Sequence, residues 1–407
     1  MKLNLIPQPR QTKIFFVTAD DLKALGAPST TDPQIVKSLT KLGYKVLWFG
    51  INVSTREEIC HEAKDILVPR SFFKRCLLKI YRILRFQTLE DQKLEFLKKF
   101  DEKLLDVLDL YKYDIDEDTV FIGRSVSSLR CFNFVKSLGG RCILHSQWMH
   151  PNKQNSILSD AFAQMDLKEK AIPIERIEIQ LKEIELSDHI WCISKLVYDS
   201  YIENNVSPKK LIHSSLGVDS EIYFPKRSKK KDYKKHIVFV GNINFEKGVH
   251  ILLDSLSSDK FKDCKLSLIG AVAPYFKRHL DSYVDRLSGI GISINIKAEF
   301  PLKHYHKADL FVLPSLHESF GLVVLEAMSC GLPVIITDQV GASELIQSNQ
   351  CGYIIPSNDT EALRESILSL INNKDLRNLY GVSSREVAKN LSWDNVTKNL
   401  TSKLNLA

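Results

Sequence analysis

Residues 311–344 read FVLPSLHESFGLVVLEAMSCGLPVIITDQVGASE and spell strand, loop, helix and strand. Phe311–Leu313 is a short apolar run stopped by Pro314 and Ser315. From Gly321 to Met328 the apolar residues Leu322, Leu325 and Met328 recur at helical spacing. Gly331 stands where a helix C-terminus favours glycine, and Pro333 follows just beyond. Val334–Ile336 is β-branched and predicts a buried strand. Such a βαβ unit belongs to a parallel sheet, whose ligands bind outside the carboxyl ends of the strands.

Two carboxylates mark that edge: Glu318 in the loop and Glu326 in the helix, with seven residues between them. Ser319, Phe320 and Gly321 bring backbone N–H groups to the helix N-terminus, where an anion is favoured. A carboxylate accepts hydrogen bonds from hydroxyls. The combination suits a ligand that is part polyol and part phosphate, as a nucleotide sugar is. A capping glutamate followed by a solvated helical glutamate would read the same at these two positions.

The longer run ADLFVLPSLHESFGLVVLEAMSCGLPVI, residues 308–335, closely resembles the donor-site signature of family 4 retaining glycosyltransferases. The E-x₇-E spacing, the Phe-Gly pair after the first acid and the EAM-x-x-G-x-P-V tail all match. The resemblance implies an α/β chain of the GT-B fold: two Rossmann-like domains facing across a cleft, with a C-terminal helix crossing back to the first.

The totals agree with a multidomain enzyme. The chain has 407 residues, 44% of them hydrophobic and 26% charged, enough for two or three domains with their own cores. No apolar run approaches the ~20 residues of a membrane span. The N-terminus MKLNLIPQPRQTK lacks the apolar core of a secretory signal. Eight cysteines, at 60, 76, 131, 142, 192, 264, 330 and 351, are scattered without a C-x-x-C pair. That predicts reduced thiols and a cytoplasmic enzyme, with neither disulfide framework nor zinc site. The net charge of +7 is uneven. Residues 226–235 and 70–85 each contribute +6, so the remainder is acidic. No basic patch is interleaved with aromatic stacking residues, so no nucleic-acid partner is expected.

Upstream, Lys13–Thr18 and Val46–Phe49 read as strands around a helix from Ile35 to Leu42, with Ala19–Pro33 as a connecting loop. Asp20 falls at a strand end, a place for an acceptor-side residue or for a polar loop start. The loop holds only Gly26, where relatives of the family usually carry a glycine pair. Residues 70–86, RSFFKRCLLKIYRILRF, place their cations on one helical half and their apolar residues on the other. This pattern fits an anionic membrane surface or a helix packed on its own domain. His150, in SQWMHPNKQNSIL (146–158), can hydrogen-bond a sugar hydroxyl at the reacting centre or serve the core.

Residues 175–225 resemble the family again, ending in the signature carried by Gly217, Val218, Asp219, Phe224 and Pro225. Asp219 is read as capping or turning the backbone. The expected layout is an acceptor domain over 1–222, a basic linker over 223–235, a donor domain over 236–390 and a tail helix over 391–407. In the donor domain, strand His236–Val240 leads into GNINFEKG, residues 241–248. Gly241 permits close approach of a ligand, and Lys247 sits at a helix N-terminus suited to a diphosphate. Asn242 stands where the family commonly has arginine.

The resemblance implies the following roles. Lys247 neutralises the leaving diphosphate, Glu318 holds the transferred sugar and Glu326 holds the ribose. Phe320, Gly321 and Leu322 offer backbone N–H groups, while Gly241 and Asn242 line the donor, and His150 joins the catalytic group. The donor is a UDP-, GDP- or ADP-sugar, with no cofactor and no metal, and the acceptor is a saccharide or lipid-linked sugar of cell-surface polysaccharide or lipopolysaccharide. The competing readings are a nucleotide-sugar epimerase and a non-catalytic subunit that kept the fold.

Overall fold

The computed structural model describes residues 12–21, 27–51, 63–65, 89–164, 172–226, 235–262, 264–289 and 292–406. They form two compact units. The first comprises the residues up to Cys192, Val197–Ser214 and those from Thr397 onward; the second comprises Ile193–Leu196 and Ser215–Val396. The basic amphipathic stretch 70–86 and Gly26 lie outside the described residues.

In the first unit seven parallel strands build one sheet. They are β1 (Lys13–Asp21), β2 (Lys45–Ile51), β3 (Ala63–Asp65), β4 (Thr119–Arg124), β5 (Arg141–Ser146), β6 (His189–Cys192) and β7 (Leu211–His213). Their order is β3-β2-β1-β4-β5-β6-β7, so the winding reverses between β1 and β4. Helices α1 (Ala27–Lys41), α2 (Leu89–Leu108), α3 (Leu129–Ser137), α4 (Pro151–Gln164), α5 (Ile174–Leu186) and α6 (Lys195–Glu203) alternate with the strands. Phe15, Phe16, Trp48, Phe49 and Phe121 are fully buried, as continuous apolar strands covered on both faces require.

Two expectations fail here. Residues 27–33 are helical, not loop, and Pro33 lies inside α1. The cause is tertiary: Asp32 is buried and accepts hydrogen bonds from Thr18 Oγ1 at 2.9 Å and Arg124 Nη2 at 2.6 Å. Those bonds outweigh the local preference of the residues before a proline. The strand expected to end at Thr18 continues through Asp21. Asp20 therefore lies within β1, at its carboxyl end.

The second unit has six parallel strands: β8 (His236–Val240), β9 (Lys265–Ile269), β10 (Ser293–Lys297), β11 (Leu310–Leu313), β12 (Val334–Thr337) and β13 (Gly352–Ile355). Their order is β10-β9-β8-β11-β12-β13, with the reversal between β8 and β11. The helices are α7 (Val249–Ser255), α8 (Lys277–Gly289), α9 (Leu302–Tyr305), α10 (Leu322–Ser329), α11 (Ser343–Gln347), α12 (Thr360–Asn372) and α13 (Lys374–Asn390); of α14 (Trp393–Lys403), the residues from Thr397 belong to the first unit. The quoted stretch forms β11, α10 and β12. Helix α10 ends as its residues predict: Gly331 has φ +76°, its N–H reaches Met328 O at 2.9 Å, and Leu332 N–H reaches Ala327 O at 3.1 Å. These are the paired bonds of a glycine-terminated helix.

Candidate functional site

The winding reverses between β8 and β11, and the carboxyl ends of the strands at such a reversal form the crevice where a doubly wound sheet binds its ligand. Two loops meet there. The first, residues 241–248, follows β8. Asn244 Oδ1 accepts the Lys247 N–H at 2.9 Å, and Phe245 O accepts the Gly248 N–H at 2.8 Å. Gly248 has φ +65°, and a Cβ on it would lie 1.8 Å from Pro314 O, so only glycine lets this loop press against the end of β11.

The second loop, residues 314–321, is pinned on both sides. Leu316 N–H donates to Glu246 O at 2.9 Å, Glu318 N–H to Gln339 O at 2.9 Å, and Gly341 N–H to Glu318 O at 2.9 Å. Gly321 then caps α10 in the left-handed region. The N–H groups of Phe320, Gly321, Leu322 and Val323 have no acceptor among the described residues. Donors left open at a helix N-terminus form a positive patch.

Into this crevice project the two charges expected from sequence. Lys247 Nζ pairs with Glu318 Oε2, each side chain less than a quarter exposed. The two loops are thus joined through an ion pair between the two residues expected to serve the leaving phosphate and the transferred sugar. Asn242, in the first of the two loops, is exposed.

Glu326 lies one turn further along α10, and its surroundings were not legible from spacing. Its Oε2 accepts the Tyr305 hydroxyl at 2.9 Å, and the Tyr223 ring lies edge-on to Tyr305 at 6.1 Å. Burial pushes the Glu326 carboxyl above its ordinary value, and the two phenols draw it partway back. The same burial, with the carboxylate beside them, holds both phenol hydroxyls protonated. Tyr305 is fully buried. A carboxylate has about four lone-pair positions, and the Tyr305 phenol leaves it able to accept a ribose hydroxyl.

His150 is placed differently. It precedes α4 in the first unit and is 3% exposed, with its N–H on Ser200 Oγ at 2.9 Å and its ring edge-on to Tyr201 at 5.4 Å. Burial lowers its pKa to about 4, so the ring is neutral near pH 7. Contact with an acceptor would require uncovering that ring. Asp219 turns the chain, accepting from Glu221 N–H at 3.0 Å and Ile222 N–H at 3.2 Å. Among the described residues, no group of three His, Cys, Asp or Glu side chains is placed to hold a metal ion. Among them too, no helix is long and apolar enough to cross a membrane.

Residues 220–387, inside the second unit, match the family model described as glycosyl transferases group 1. An uncharacterized glycosyltransferase of Methanocaldococcus jannaschii is 33% identical over 210 residues, covering 51% of this chain and 56% of the relative. A capsular polysaccharide biosynthesis glycosyltransferase of Staphylococcus aureus is 30% identical over 156 residues, 38% of this chain and 41% of the relative. The chain thus spans about half the length of these relatives. The fold extends further. The crystal structure of a protein from Anabaena in complex with UDP aligns with TM-score 0.70 at 14% identity, over 97% of this chain and 100% of that one. Both units therefore carry the GT-B fold. Residues 220–387 carry a glycosyl transferases group 1 domain, and that domain holds Lys247, Glu318 and Glu326.

Proposed function

We propose that this chain is a retaining, metal-independent glycosyltransferase that moves a sugar from a nucleotide-sugar donor to a saccharide or lipid-linked acceptor. The observation that carries the reading is the crevice at the β8–β11 reversal. It joins open backbone donors, a lysine and two carboxylates in the family's own spacing. Breaking the bond between sugar and diphosphate leaves negative charge on phosphate and positive charge on the sugar. Fixed donors and a cation aimed at the phosphate stabilise that separation more than the ground state.

For this to happen Lys247 exchanges Glu318 for the diphosphate, which frees Glu318 to accept a hydroxyl of the transferred sugar. Glu326, held by Tyr305, takes the ribose. The relative from Staphylococcus aureus supports a setting in cell-surface polysaccharide synthesis, and the Anabaena structure with UDP supports a uridine nucleotide among the candidate donors. Residues 70–86 are proposed to bring the enzyme to an anionic membrane surface.

Asn242 favours a second reading, a non-catalytic subunit with a weakened donor site. A nucleotide-release panel over UDP-, GDP- and ADP-sugars, with and without oligosaccharide and polyprenyl-linked acceptors, separates the two. Acceptor-dependent release from one donor supports the transferase. Silence across the panel supports the subunit.

A further inference from the structure

We propose that His317 is the second basic group of the donor site, neutral while the site is empty and protonated when a nucleotide sugar fills it, so that donor binding takes up a proton. The inference rests on the donor reading of the β8–β11 crevice and adds to it a residue and a regulation.

Its first support is position. His317 lies between the two anchored points of the 314–321 loop, Leu316 N–H on Glu246 O and Glu318 N–H on Gln339 O. Its backbone is fixed in the loop that follows β11, directly before the carboxylate that pairs with Lys247. Its second support is an unmet need. Both ring nitrogens are shielded from solvent and have no hydrogen-bond partner among the described residues. A buried polar atom without a partner costs free energy comparable to a lost hydrogen bond, and native structures keep few of them. Two on one ring, beside a site built for an anion, point to a state in which the ring is differently paired.

The third support is the charge at the site. With Asn242 in the position where the family commonly has arginine, Lys247 is the one lysine or arginine in the 241–248 and 314–321 loops. A nucleoside diphosphate ester brings about two negative charges.

The sign follows from the groups that act on the ring. In the empty site burial is the largest influence and lowers the His317 pKa; the Lys247 charge lowers it further, and the Glu318 charge opposes them. Donor binding moves Lys247 onto the diphosphate, which cancels its charge. The added phosphates and the unpaired Glu318 both favour the imidazolium. The pKa of His317 therefore rises on binding. The donor binds more tightly as pH falls through the interval between the loaded and empty pKa values. A diphosphate diester has no group of its own that titrates in this range, so the proton is the protein's.

The test is calorimetric titration of the full chain with UDP-, GDP- and ADP-glucose at several pH values around 7, in buffers of different ionisation enthalpy, repeated with His317→Gln. The expected result is a measurable proton uptake, up to about one per donor bound, and a Kd that weakens up to about tenfold per pH unit above the empty pKa. In His317→Gln the uptake is expected to vanish and the affinity to become flat with pH. Melting temperature confirms that the variant is folded, and the wild-type uptake stands as a test without it. Binding with no uptake in the wild type overturns the role of His317 and leaves the donor reading intact. Uptake retained in folded His317→Gln also overturns it. No binding of any of the three sugars, in either protein, overturns both.

Discussion

Lys247 and Glu318 occupy one another in the structure, and this has a consequence for affinity. A donor must break an ion pair that is mostly shielded from solvent before it gains its own contacts, so a single lysine has two tasks. Adding a second permanent cation relieves it. Asn242→Arg is expected to tighten nucleotide-sugar binding roughly tenfold, the yield of one added charge-assisted hydrogen bond of about 1.5 kcal/mol. Equilibrium titration measures it, and an unchanged or weaker Kd would show that position 242 does not face the phosphates. At this scale the sequence was partly legible. The two glutamates and the lysine were found because they sit in fixed spacing beside glycines. Tyr305 was not found as the partner of Glu326, because it comes from a distant segment and looks like an ordinary core aromatic. The position of His317 was visible, but its burial was not.

Among elements, glycine and proline made the second unit readable. Gly321, Gly331 and Pro333 bound α10, and the observed helix Leu322–Ser329 falls within a residue of the expected one. In the first unit the same rule failed at Pro33, because the buried Asp32–Arg124 pair holds the preceding turn helical. Helix α2 was not anticipated, although Leu94, Phe100, Leu104 and Leu108 of it are buried. Its charged residues obscure the apolar stripe.

The glycines of the second unit are not equivalent, and substitution separates them. Gly331→Ala meets only contacts of 3.5 Å or longer and is expected to cost about 1 kcal/mol for the left-handed backbone alone. Gly248→Ala places its Cβ 1.8 Å from Pro314 O. It is expected to destabilise the second unit by roughly 3 kcal/mol or more and to abolish donor binding. Urea denaturation of both variants checks the ranking. Equal losses would contradict the close approach of the two loops.

For the whole molecule, buried histidines predict its behaviour in acid. His145 is fully buried and stacked on Trp191 at 3.9 Å, with no hydrogen-bond partner for either ring nitrogen among the described residues. Burial holds it well below its ordinary value, and brings His150 and His236 each to about 4. The unfolded chain takes protons that the folded chain refuses. Stability from these groups is thus complete above about pH 6.5 and lost as pH falls toward 4. Melting temperature is expected to fall over that interval, and His145→Phe, which can keep the stack on Trp191, is expected to fall less steeply. A variant with the parent's slope would show that His145 does not contribute.

A nucleotide sugar is expected to bind at the β8–β11 reversal with Lys247 on its diphosphate. Titration of UDP-, GDP- and ADP-sugars into the parent and into Lys247→Ala tests it most directly. The prediction is saturable binding of one donor to the parent, and binding weaker by about 100-fold in a variant with an unchanged melting temperature, the loss expected for one charged contact of ~3 kcal/mol. Equal affinity in the two proteins would place the nucleotide elsewhere and contradict the account.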